Sequence, residues 1–170
     1  RQRQMFIRDR GNHDEHKIFH LNRELYLMYR NQPNVTVDNS LFARKYFTYG
    51  NQVIGVAHGQ RERASDLHAI MFADYGHEMG KSKFQYYYLG HKHHEIHEVR
   101  RVTPKSKLLE QKIQRDEDYK GLMVTWCPNL AYRDHYEYNH GYVGTIRSMI
   151  AAIHQKRNGR AFLINHNLGA

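Results

Sequence analysis

"RKYFTYGNQVIGVAHG", residues 44–59, decides the architecture. Two runs rich in aromatic and β-branched residues flank Gly50-Asn51, so the stretch reads as two strands joined by a tight turn, ending at His58. "KFQYYYL", residues 83–89, is a further strand that runs directly into Gly90 and His91, and "GLMVTW", residues 121–126, is another. The recurring pattern is a strand that ends in a polar, histidine-bearing loop. In open α/β architectures, ligands gather where the carboxyl ends of strands meet, because loops from distant parts of the chain converge there.

Working outward, Ile18, Leu21, Leu25 and Met28 recur at helical spacing and predict a helix over 15–29, ended by Asn31 to Asn34 with Pro33 inside. Val35-Thr36-Val37 reads as a short strand. Leu67, Ile70, Met71 and Tyr75 predict a second amphipathic helix, capped by Ser65 and stopped at Gly76. Residues 101–120 are charged and punctuated by Pro104, with a short helix expected around Leu108 to Gln114. Residues 131–142, "AYRDHYEYNHGY", are too polar and aromatic for a core element and read as a loop. Ile146, Met149, Ile150 and Ile153 fit a helix, but Asn158-Gly159 between two apolar runs favours a closing hairpin. Strands and helices together predict an α/β fold.

At 170 residues the chain suits one domain, residues 1–170, with a real core and no second domain. A hydrophobic fraction of 40% with three prolines excludes a disordered chain. The net charge of +9, with histidine neutral, favours a polyanionic partner, nucleic acid above all. Cys127 is the only cysteine, which excludes an internal disulfide and favours a reducing, cytoplasmic setting (the host's cytoplasm for a viral product). The longest apolar runs, such as residues 149–153, are far shorter than a membrane span, so no membrane partner is expected. The first methionine is Met5, behind Arg1, so a longer product is expected.

Three segments carry chemistry: Gly11-Asn12-His13-Asp14, then His58-Gly59, then Gly90-His91-Lys92-His93. Imidazole nitrogens and an amide oxygen suit a borderline divalent metal such as Mn²⁺, Fe²⁺ or Zn²⁺. Two histidines two apart project to the same side, with Gly90 letting the backbone turn sharply. Each piece alone has a bland reading: "GNHD" as a loop, His58 as a core histidine, "HKHHEIH" as a solvated run in which His94 and His97 are surface residues. Tyr86-Tyr87-Tyr88 reads as strand packing rather than a base-stacking platform. Tyr132, Tyr136, Tyr138 and Tyr142, interleaved with Arg133, His135 and His140, fit nucleotide contact or a packed loop equally. Arg61 and Arg63 stand just past His58, where they would meet phosphate or only solvent.

In this order and after strands, the three segments resemble the last three motifs of the calcineurin-like metallophosphoesterase superfamily. The tail, with "MVTWCPNL" and "GYVG", is similar to the DNA-repair exonuclease branch of the SbcD type and its viral relatives. The resemblance implies a two-sheet α/β/β/α sandwich and a dinuclear centre of two divalent ions, Mn²⁺ first, with Fe²⁺ or Zn²⁺ as alternatives. It implies Asn12, His58 and His91 as ligands of one metal and His93 as a ligand of the other. It implies His13 as the acid that protonates the leaving alkoxide, with Asp14 orienting its imidazole. The family's earlier Asp-x-His and Gly-Asp motifs do not precede Gly11, and Asp66-Leu67-His68 has the right letters only within a helix. The resemblance therefore covers the C-terminal portion of one metallophosphoesterase domain, and the N-terminal half or a second chain is needed to complete the metal site. The expected activity is metal-dependent hydrolysis of DNA phosphodiesters. A small nucleotide or phosphoprotein substrate, or a non-catalytic binding subunit, is the alternative.

Overall fold

A computed structural model describes residues 4–6, 15–91, 96–101, 109–110, 121–128 and 147–168. The decisive stretch folds as two strands, β3 (Arg44–Tyr49) and β4 (Gln52–Ala57), paired antiparallel from Tyr49↔Gln52 to Arg44↔Ala57. Gly50 supplies the turn with φ +63°, a conformation that costs glycine no side-chain clash. They precede β5 (Phe84–Leu89), which runs parallel to β4, and β8 (Gly121–Trp126), which runs parallel to β5. Parallel neighbours require a crossover, and α2 (Leu67–Lys81) provides the one between β4 and β5. Beyond β8 the sheet continues antiparallel through β6 (Ile96–Arg101) and β7 (Leu109–Glu110), giving the order β3-β4-β5-β8-β6-β7. Near the amino terminus, β1 (Gln4–Phe6) pairs parallel with β2 (Val35–Val37), and α1 (Glu15–Tyr29) lies between them in sequence. The chain closes with the antiparallel hairpin β9 (Ser148–Gln155) and β10 (Gly159–Asn167). The fold is mixed α/β.

The period of two along the strands gives the large sheet two apolar faces. One carries Val53, Ala57, Tyr87, Leu89, Leu122, Val124 and Trp126, which pack with Leu67, Met71 and Met79 of α2. Each such large side chain, taken fully out of water, contributes about 1.5–3 kcal/mol before entropy is counted. The opposite face carries Ile54, Phe84, Tyr86 and Met123. Against it lies the β9–β10 hairpin, so close that a Cβ on Gly159 would fall 2.6 Å from the Tyr86 hydroxyl. Polar bonds hold this joint: Gln52 Nε2 donates to Gln155 O at 2.6 Å, and Arg160 Nη1 donates to Thr125 Oγ1 at 3.1 Å.

Both helices, the central strands and the closing hairpin stand where periodicity and turn residues place them. Three expectations need correction. The second helix does not stop at Gly76; it runs to Lys81 through a break at Tyr75 (φ −143°, ψ 29°), because Met79 continues the buried series of Leu67 and Met71. Its N-cap is Asp66 rather than Ser65, and Asp66-Leu67-His68 therefore sits at the helix start. Leu109–Glu110 is a strand on the sheet edge, not part of a helix. The rest of 102–120 and the loop at 131–142 lie outside the described residues. Among those described, no helix is long and apolar enough to cross a membrane.

Candidate metal centre

The carboxyl ends of β4, β5 and β8 are level, with Ala57 paired to Leu89 and Leu89 to Trp126. The bonding continues one residue further on each side. Gly90 N donates to His58 O at 3.0 Å, and Cys127 N donates to Leu89 O at 2.5 Å. These bonds carry the chain past the sheet edge in a fixed direction and bring two imidazoles together. His91 Nδ1 stands 3.1 Å from His58 Nε2, and the ring centroids are 4.9 Å apart at an interplanar angle of 71°. Both rings are half-buried.

The backbone around the pair is unusual. His91 has φ +68°, the only positive φ at a non-glycine among the described residues. The sharp turn expected at Gly90 is thus taken by His91 itself. At Gly90 a Cβ would meet His58 O at 3.4 Å, an ordinary contact, so space there does not demand a glycine. Gly59, directly after His58, has φ +91°, and a Cβ on it would lie 2.7 Å from Trp126 Cζ3. A glycine follows His58 because the buried indole leaves no room for a side chain. A non-glycine residue held at positive φ costs about 1–3 kcal/mol and persists where its surroundings over-determine it.

The separation suits a shared ion. Two nitrogens each about 2.1 Å from one metal stand about 3.0–3.4 Å apart in octahedral or tetrahedral geometry. One ring here donates to the other at 3.1 Å; to share an ion instead, the pair would give up that proton and turn both nitrogens towards a common point off the line between them. Two imidazoles are an incomplete set, and among the described residues no group of three His, Cys, Asp or Glu side chains forms. The other expected members, Asn12, His13, Asp14 and His93, lie outside the described residues, as do His94, Tyr132, Arg133, His135, Tyr136, Tyr138, His140 and Tyr142. Arg61 and Arg63 are exposed just past His58. Tyr86 and Tyr87 are buried in the two cores, which removes them from contact with any base.

Sequence reasoning missed a second polar cluster, on the hairpin side of the sheet. His154 Nδ1 is 2.7 Å from Gln52 Oε1, and its Nε2 is 2.7 Å from the Tyr88 hydroxyl. The Gln52 amide nitrogen is already donating to Gln155 O, so Oε1 accepts from Nδ1–H and Nε2 accepts from Tyr88. Burial first, and the Arg160 cation second, push the His154 pKa down to about 4. Burial likewise pushes the Tyr88 hydroxyl up to about 12. The alternation of Ile150, Ala152 and His154 along β9 was the available signal, since it puts His154 on the inward face. The chain matches no protein-family model, no curated protein and no solved structure.

Proposed function

We propose that this chain belongs to a metal-dependent phosphoesterase that hydrolyses nucleic acid, on a two-sheet sandwich of the metallophosphoesterase type. The observation that carries the reading is the 3.1 Å apposition of His58 and His91 at the level carboxyl ends of three parallel strands. Layering supports it as well, with α2 on one face of the large sheet and a second, two-stranded sheet on the other. The net charge of +9 favours nucleic acid over a small phosphoester. His58 and His91, with Asn12, would hold one ion, and His93 a second. A segment bearing Asp-x-His and Gly-Asp motifs, in the same chain or another, would complete the pair. When bound, Mn²⁺, Fe²⁺ or Zn²⁺ supplies Lewis-acid activation of water and neutralises phosphate charge. The chain's own contribution is orientation and a proton: His13 delivers it to the leaving oxygen, and Asp14 holds the ring in place.

Mn²⁺ titration by calorimetry, with oligonucleotide hydrolysis measured in parallel on the completed enzyme, tests this. His58→Ala and His91→Ala should each lower metal affinity and activity together. His13→Ala should keep its metal while turnover of a nucleoside diester falls by roughly 10²–10⁴-fold, and by less on a nitrophenyl ester that leaves without help. Unchanged metal affinity in both histidine-ligand variants would sink the proposal.

A further inference from the structure

The opposite edge of the sheet gathers cations. At the amino ends of β4 and β5, Asn51 ties three connections together: Asn51 N donates to Lys156 O at 3.2 Å, Asn51 Nδ2 donates to Arg157 O at 2.8 Å, and Lys83 N donates to Asn51 O at 2.7 Å. The backbones of Lys83 and Lys156 therefore lie within about 10 Å of each other. In all three basic residues only backbone atoms serve these bonds, and the side chains are exposed. Among the described residues none of the three has a carboxylate within ion-pair distance. Lys81, at the end of α2, joins them but is shared with Glu78 at 3.5 Å. By register, β6 also ends at this edge, with Arg100 and Arg101 opposite Leu122 and Gly121.

We infer that Lys83, Lys156 and Arg157 form a docking site for the phosphate backbone of nucleic acid, remote from the histidine edge. The inference rests on the proposed nucleic-acid substrate and adds where that substrate is held. Lys83 Nζ lies 5.1 Å from the Phe84 ring centroid, yet all three side chains are exposed, and their charges reinforce one another across a short span. The six residues of β4 separate the two edges by about 20 Å. About six base pairs of duplex rise cover that in a straight line. A straight duplex of about ten base pairs, roughly 34 Å long, therefore reaches both edges.

The test is a salt titration of a fluorescent DNA duplex with the 170-residue chain and its Lys83→Ala/Lys156→Ala/Arg157→Ala variant, whose folding is checked by circular dichroism. Each lost phosphate contact should reduce the slope of log K against log salt by about 1, so the triple variant should lose about 3. Lys17→Ala, which removes an exposed cation from α1, should keep the wild-type slope. Equal slopes for the triple variant and wild type, or no DNA binding by wild type, would overturn the inference. So would a slope loss of about 1 in Lys17→Ala, since the effect would then belong to net charge and not to the patch. Anionic phosphatidylserine vesicles are the remaining arm: loss of vesicle binding in the triple variant without any change on DNA reassigns the patch to lipid and overturns it too. A triple variant that loses slope, in a protein that never hydrolyses DNA, upholds the patch and removes only the phosphoesterase reading.

Discussion

His91 holds a backbone conformation that suits glycine, yet its imidazole is what brings the two rings together. Such strain is kept where neighbours leave no alternative, and here the bonds from Gly90 and Cys127 and the glycine at 59 do so. The two substitutions that remove the ring then differ. His91→Gly should be more stable than His91→Ala by about 1 kcal/mol, because only alanine keeps a Cβ at positive φ. Urea unfolding of the two metal-free variants measures the difference, and equal midpoints would show that position 91 is unstrained. The glycines beside both histidines were legible in the sequence. Which residue of Gly90-His91 takes the left-handed turn was not, since that depends on a cross-strand bond to His58 that no local pattern announces.

The hairpin joint behaves as an element of its own. His154 is stable in its bonds only as the neutral ring, since burial and Arg160 both oppose its charge. The folded state thus takes up this proton less readily than the unfolded chain. Its contribution is full above the ordinary histidine value of about 6.5 and drains as pH falls towards about 4. Unfolding free energy followed from pH 7 to pH 4 should therefore fall more steeply in wild type than in His154→Gln. Parallel curves would show that the ring titrates normally. On the other face, α2 keeps two glycines in its second half, and a Cβ on Gly80 would meet nothing within 4 Å. Gly80→Ala should raise stability by roughly 0.5–1 kcal/mol, read as a higher urea midpoint, by restricting the unfolded chain. The helix stop expected at Gly76 failed because a buried methionine three residues on outweighs one poor helix former.

Over the whole molecule, the elements that could be read were those whose signal is local. β3 and β4 announce themselves by composition and a Gly-Asn turn, and β9 and β10 by Asn158-Gly159. β6 could not be read: its His97 stands in a run with a solvated reading, and Ile96 to Arg101 pair antiparallel with β8, which begins only at Gly121. His58 and His91 were legible as motif, whereas His154 in the other polar cluster was not, because its partners lie far away in sequence. That distance has a consequence for how the molecule assembles in time. The bonds joining the hairpin to β4 span 102, 103 and 106 residues, whereas each hairpin's own ladder closes over a few. Loop-closure entropy delays such long-range contacts until the local ladders exist, so the joint belongs to the late stages of folding. Interactions formed after the rate-limiting step act on the escape rate rather than the approach. The polar seam of Asn51, Gln52, His154 and Arg157 is thereby expected to weigh on how long the folded molecule lasts more than on the speed of its formation.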